Sequence, residues 1–310
     1  PAVFKVDVAH PGADISPSMW GLFFEDINMG ADGGLYSELV KNRSFEFFKP
    51  MMGWKETKKE GGTGKILLQN RQEKNSANPR FIQVTANASA GTFGLINEGF
   101  RGMGFKKGVS YDFSLWSRLL SGNLQLRVEL LNAASEVIGT ADLLLQANKE
   151  WQRQTVRLQC SATEQKGSLR IWCMGNGAAE MDMISLFPTD TWKNRPGGLR
   201  ADLVQLLADM KPGFLRFPGG CIVEGHDLTE RYQWKKTIGP VEERTSLINR
   251  WNYEFAHRPT PDYFQSFGLG FYEYFQLCED IGAEPLPILN CGMACQFNTS
   301  EVVPLDQLYL

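Results

Sequence analysis

The stretch FLRFPGGCIVEG, residues 214–225, sets an arginine in an apolar run and then breaks the run with Pro-Gly-Gly-Cys. Pro218 has no N–H to give a ladder, and Gly219 and Gly220 allow a sharp turn. Arg216 is therefore expected at the carboxyl end of a strand, the end where α/β proteins bind ligands. Two further polar groups sit in equivalent places: Glu25 ends the apolar run WGLFFEDIN, and Asn290 stands near the end of residues 286–291. Were these three strands parallel neighbours, the three side chains would converge on one face. A charge in an apolar strand is costly unless paired, so Glu25 and Arg216 are expected to partner each other. Such a pair can offer hydrogen bonds to a polyhydroxylated ligand or serve as a structural ion pair closing a barrel, and the spacing leaves both readings open. Asp26, next along the strand, is expected to point the other way.

Other residues carry weaker signals. Cys221 is a candidate nucleophile, but no histidine is positioned as its base, since His226 lies five residues on in a loop. A small residue lining a pocket is the plainer reading. Glu224 follows Cys221 with nothing to fix its distance to a partner. Trp234 and Trp251 flank the loop GPVEER, where an indole can stack on a sugar ring or seal the loop against the core. Cys291 and Cys295 form a CxxxC, but His10, His226 and His257 do not cluster with it, so no metal is expected. GFRGMGF lacks the order and the following helix of a phosphate cradle and reads as turn and bulge.

Three textures must position these groups. In residues 1–59, VFKVDV alternates as a strand, WGLFFEDIN suits a strand covered on both faces, and DGGLYSELVKNRSF carries Leu35, Leu39 and Val40 at helical spacing. Residues 60–188 are β-rich: SYDFSLWSR, NLQLRVELL, WQRQTVRLQC and GSLRIWC alternate in period two between turn residues, as in an antiparallel sandwich. Residues 189–310 repeat helix, short loop and strand, the grammar of a parallel α/β sheet or barrel. There, Leu199, Leu203, Leu206, Leu207 and Met210 are expected to form one helical face. Phe271, Tyr274, Phe275, Cys278 and Ile281 form another, stopped by Gly282. The simplest arrangement inserts the sandwich into the barrel after its first strand.

Composition narrows the partners. The 310 residues are 43% hydrophobic and 22% charged with net charge −3, and neither a basic run nor a membrane-length apolar run occurs. Neither nucleic acid nor a membrane span is expected. Six scattered cysteines do not make a disulfide scaffold.

WGLFFEDINMGADGGLYSELVKNRSFE, RFPGGCIVEG and WKKTIGPVEER, in that order and with LINEGFRGMGFKKGVSYDFSLWSR between the first two, resemble glycoside hydrolase family 51, the α-L-arabinofuranosidases. The resemblance covers essentially the whole chain. It implies a (β/α)8 barrel carrying an inserted jelly-roll sandwich like a carbohydrate-binding module. It also implies that Glu25, Arg216 and Cys221 line the arabinofuranose subsite, with Trp251 at its mouth. No cofactor is implied. The implied partner is an arabinose-containing plant polysaccharide or oligosaccharide, with room for a homo-oligomer, and the implied location is secreted or periplasmic. Members are retaining hydrolases with two catalytic glutamates, the acid/base lying in an Asn-Glu pair after the fourth strand. Here the Asn-Glu pair Asn97-Glu98 falls in the sandwich, and about three of eight barrel strands are written. No catalytic residue is therefore assigned, and the chain is expected to be an N-terminal portion, inactive alone. Two other readings stand beside this one: a non-catalytic glycan-binding protein built on the sandwich, and a relative acting on β-glucans.

Overall fold

The computed structural model describes residues 2–73, 76–89, 91–254, 261–304 and 306; the His257 considered above lies outside the described residues. Two assemblies of strands dominate it. A three-stranded sheet runs in the order Leu22–Phe23, Phe214–Phe217, Glu284–Pro287, all parallel. A nine-stranded sheet is built between Trp54 and Pro188, so it lies in the chain between the first and second strands of the parallel sheet.

The nine-stranded sheet is organised by two long strands, Ser110–Leu131 and Glu164–Pro188, paired antiparallel along most of their length. SYDFSLWSR and NLQLRVELL, which read as two strands, are thus one. Gly122 marks the join, with φ +69°, and a Cβ there would stand 2.0 Å from the Asn176 carbonyl oxygen, so only glycine fits. The period-two alternation buries Phe113, Leu115, Leu124, Leu126 and Val128 in one continuous core. GFRGMGF is a turn and bulge as expected. Gly99 and Gly102 have positive φ, and Met103–Phe105 pairs with residues 164–167 through a register shift.

The parallel sheet alternates in the same way. Leu215 and Phe217 face the helices Ala201–Asp209 and Phe271–Ile281, and Phe217 stacks on Tyr274 at 4.6 Å. Arg216 occupies the other face, in register with Phe23 and Leu286, which are 55% and 44% exposed. The first strand is therefore covered on one face among the described residues, not on both.

The helix faces form largely as expected: Leu199, Leu203 and Leu207 pack on the core, as do Phe271, Tyr274, Cys278 and Ile281. Leu206 and Met210 are exposed instead and Val204 is fully buried; Leu277 joins the later face, and Phe275, though exposed, keeps an edge-on contact with Phe217. Gly282 ends that helix in the left-handed conformation, its N–H reaching the Cys278 and Glu279 carbonyls.

Two expected elements do not form. VFKVDV is no strand; Val3, Phe4, Val6 and Val8 are 83–90% exposed, because an alternating run without a ladder partner has nothing to bury against. DGGLYSELVKNRSF is no helix. Its backbone is taken instead by other segments: Leu35 O accepts from Arg200 N, Leu39 N donates to Leu186 O, and the buried Glu38 carboxylate accepts from the N–H groups of Val40 and Leu186. This segment is the seam between the two assemblies. The third parallel strand is also shorter and earlier than residues 286–291, which leaves Asn290 in the following loop.

Candidate active site

The candidate site forms at the carboxyl end of the parallel sheet. The Phe24 N–H bonds the Arg216 carbonyl at 2.9 Å and the Asp26 N–H bonds the Pro218 carbonyl at 3.4 Å, so the chain carrying Glu25 runs alongside the Pro-Gly-Gly turn. Glu25 is half-buried, and its Oε1 accepts from the Ile222 N–H at 3.2 Å and from the Trp251 indole N–H at 3.3 Å. Its Oε2 makes no hydrogen bond among the described residues.

This close approach explains Gly219. A Cβ on Gly219 would lie 2.7 Å from Glu25 Cγ and 3.0 Å from Ile222 Cγ1. Gly219→Ala should therefore displace Glu25 and cost about 1–3 kcal/mol, the usual range for forcing a methyl into a packed site. Urea unfolding measures the cost, and an unchanged midpoint would mean that the turn can open without loss.

Arg216 does not pair with Glu25, contrary to expectation. Strand register places Arg216 opposite Phe23, two residues short of Glu25, and its guanidinium lies over the Phe23 ring with Cζ 4.4 Å from the centroid. Among the described residues no carboxylate is within ion-pairing distance of it. A cation on an aromatic face is a partial substitute for an ion pair, and it leaves the guanidinium donors available.

Cys221 opens the four-residue helix Cys221–Glu224 and is half-buried. Burial, then the charges of Glu224 and Glu25, raise its thiol pKa above the usual value. That suppresses the thiolate, so the pocket-lining role suits it better than nucleophilic attack.

Asn290 does not converge with the other two. Its amide donates to the Val223 and Met293 carbonyls at 2.8 Å each, and its carbonyl accepts from Gly292 N–H, so it braces the back of the short helix. Trp234 lies against Phe271 with ring centroids 6.1 Å apart, and His226 packs on Tyr253 at 4.2 Å. Cys291 is exposed and Cys295 buried, and no group of three His, Cys, Asp or Glu side chains among the described residues is placed to hold a metal.

Sequence reasoning missed the buried support of this site. Asp26, 1% exposed, does point away from Glu25, but into a network. Its Oδ1 accepts from the Tyr263 hydroxyl at 2.5 Å and the Ala31 N–H at 2.9 Å. Asn249, with no exposed surface, donates to the Asp26 carbonyl at 2.8 Å. The signal available was the polar residue itself: Asn249 follows the apolar pair Leu247–Ile248, where a buried amide needs partners.

Burial, opposed by the Tyr263 and Ala31 hydrogen bonds, pushes the Asp26 carboxyl pKa up to about 6 from the ordinary 3.8. The folded state thus holds this proton more tightly than the unfolded chain. The corresponding stability is fully present below about pH 4 and is lost as pH rises towards and through about 6. A shift of about two units corresponds to roughly 3 kcal/mol. Asp26→Asn should therefore flatten the pH dependence of unfolding free energy between about pH 4 and 7 relative to wild type. Parallel slopes for the two proteins would show that Asp26 titrates normally.

The chain is similar to known proteins over nearly all its length. Residues 206–309 match the profile of the alpha-L-arabinofuranosidase 1 domain. The chain is 39% identical to an extracellular exo-α-L-arabinofuranosidase of Streptomyces chartreusis, aligning 93% of this chain with 35% of that protein. It is 33% identical to α-L-arabinofuranosidase 1 of Arabidopsis thaliana, over 99% of this chain and 46% of that one. Its fold matches the arabinose-bound MgGH51 α-L-arabinofuranosidase with a TM-score of 0.82 at 29% identity, over 96% of this chain and 48% of that chain. The chain thus spans less than half the length of each of these relatives. Along nearly all its length the chain is thus similar in sequence to α-L-arabinofuranosidases, and similar in fold to one of glycoside hydrolase family 51.

Proposed function

We propose that this chain is the N-terminal portion of a retaining α-L-arabinofuranosidase that removes terminal arabinofuranose from arabinan or arabinoxylan. The observation that carries the reading is the Glu25–Trp251 contact beside Cys221 at the carboxyl end of parallel strands, in a chain that shares its fold with an arabinose-bound relative. Glu25 Oε2 and the Arg216 guanidinium would hydrogen-bond the sugar hydroxyls. Trp251 would wall the mouth, and Cys221 would fill the floor beside them.

In this reading residues 1–59 and 189–310 supply the opening strands of a (β/α)8 barrel, and residues 60–188 form an inserted sandwich. Support comes from the parallel order of the three strands and from the position of the nine-stranded sheet between the first two. Double displacement needs one carboxylate to attack the anomeric carbon and a second carboxylic acid to protonate the departing oxygen. Glu25 is committed to binding, and Asp26 is turned into the protein. The two catalytic glutamates would then come from later strands of the complete polypeptide. The extracellular Streptomyces relative supports secretion.

The test is release of nitrophenol from an aryl α-L-arabinofuranoside. The complete polypeptide carrying this sequence should turn it over, and residues 1–310 alone should not. Equal rates would place both carboxylates within this chain. An inactive complete polypeptide that still binds arabino-oligosaccharides would favour a glycan-binding protein instead.

A further inference from the structure

We infer that Asn249 is a positioning residue that sets Trp251 against Glu25, an inference that rests on the reading of the Glu25 cleft as the arabinofuranose subsite. Trp251 belongs to a short 3-10 turn, Arg250–Glu254, which a side chain as large as an indole could leave in many directions. The indole packs against the core around Phe217 and lies 5.3 Å from the Arg250 guanidinium, and one buried amide ties its backbone to the Glu25 segment. The Asn249 Nδ2 donates to the Asp26 carbonyl at 2.8 Å and stands 3.5 Å from Asp26 Oδ2, while its Oδ1 accepts the Trp251 backbone N–H at 2.8 Å. The same side chain therefore holds the residue after Glu25 with one end and the Trp251 backbone with the other. The indole N–H, in turn, reaches Glu25 Oε1 at 3.3 Å.

The clamp is itself anchored. The Asn249 N–H donates to the Tyr263 carbonyl at 2.9 Å, and the Tyr263 hydroxyl donates to Asp26 Oδ1 at 2.5 Å. Asn252, 2% exposed, closes the other side of the turn: its Oδ1 accepts from the N–H groups of Asp262 and Tyr263 at 3.1 and 3.2 Å. The two asparagines thus bind both ends of the turn to the Asp26 strand and to the 262–263 segment. Asn249 touches no position that a ligand over Glu25 would occupy, since it has no exposed surface. Its effect on binding must pass through Trp251 and Glu25.

A double-mutant cycle separates positioning from general support. In the complete polypeptide, Asn249→Ser should lower kcat/KM on the aryl arabinofuranoside about tenfold, the scale of one hydrogen bond lost. In a Trp251→Phe background, which lacks the indole N–H, the same substitution should cost less than about twofold. Equal costs in both backgrounds would overturn the inference, because they would mean that Asn249 supports the fold without acting through the indole. A second readout needs no turnover: the indole ¹⁵N–¹H resonance of Trp251, assigned with Trp251→Phe, should move in Asn249→Ser and in Asn249→Asp. Asn249→Asp keeps the acceptor for the Trp251 N–H but loses the donor to Asp26, which covers the case in which the serine variant does not fold. An unmoved resonance in a folded variant overturns the inference. A wild-type polypeptide without arabinofuranosidase activity would sink the functional reading separately, while the resonance still reports on the clamp.

Discussion

Glu25→Ala in the complete polypeptide is expected to lower kcat/KM on an aryl α-L-arabinofuranoside by about 100- to 1,000-fold, with a melting transition that stays cooperative. Two losses combine in this variant. The first is the acceptor Oε2, which makes no hydrogen bond among the described residues and, in the proposed function, would accept from a sugar hydroxyl. A hydrogen bond to a charged group is worth about 1.5–3 kcal/mol. The second is the contact that holds the Trp251 indole N–H, worth about 1 kcal/mol more. Together these reach about 2.5–4 kcal/mol, which is roughly two to three orders of magnitude in rate. The fold should tolerate the change, because Glu25 is half-buried and, among the described residues, its side chain accepts hydrogen bonds from just one backbone N–H and the indole. Glu25→Gln keeps the shape and one acceptor oxygen for the Ile222 and Trp251 N–H groups, but puts an NH2 donor in place of Oε2 and loses the charge, so its cost should be nearer tenfold. An alanine variant with wild-type kcat/KM would reassign Glu25 to structure, as a clip on the Pro-Gly-Gly turn.

How much of this was legible beforehand depends on the length scale over which each feature is decided. The strand end at Arg216 was written in Pro218 and the glycines, because backbone chemistry acts over a few residues. The C-cap at Gly282 and the alternation of Ser110–Leu131 were legible for the same reason. The pairing of Glu25 with Arg216 was not, because register between two strands about 190 residues apart is fixed by packing across the whole sheet. A slip of two residues puts Phe23 where Glu25 was expected, and the guanidinium settles on an aromatic ring instead. DGGLYSELVKNRSF misled in another way. Its helical spacing is real, but two glycines weaken the helix, and hydrogen bonds to residues 186 and 200 satisfy the backbone better. The buried amides were least visible. Asn249 and Asn252 look like ordinary loop residues until the chain from 262 to 263 folds back over them.

Arg244, the last residue of GPVEER, shows the same effect at larger energetic scale, and Arg244→Met is expected to destabilise the protein by about 3–5 kcal/mol. The guanidinium is 3% exposed, and every donor direction is used. Its Nε and Nη2 donate to the Gly239 carbonyl at 3.0 and 2.8 Å, which closes the loop on itself. Nη1 donates to the Phe267 carbonyl, and both Nη atoms meet the Glu273 carboxylate at 2.9 Å in a two-pronged pair. Glu273 also accepts the Gly270 N–H, so the same pair fastens the start of the Phe271–Ile281 helix. That helix carries Tyr274 under Phe217, the residue next to Arg216. Methionine fills much of the volume but satisfies none of these acceptors, and it leaves a carboxylate beside two carbonyls without a cation. Arg244→Lys restores the charge but not the fork, and it should recover only part of the loss. Urea unfolding of the complete polypeptide measures both variants. A loss below about 1 kcal/mol for methionine would mean that water replaces the guanidinium, as at a surface ion pair. A loss in the expected range would tie the stability of the loop that leads to Trp251 to a single buried side chain, and would make kcat/KM of the folded fraction the next quantity to measure.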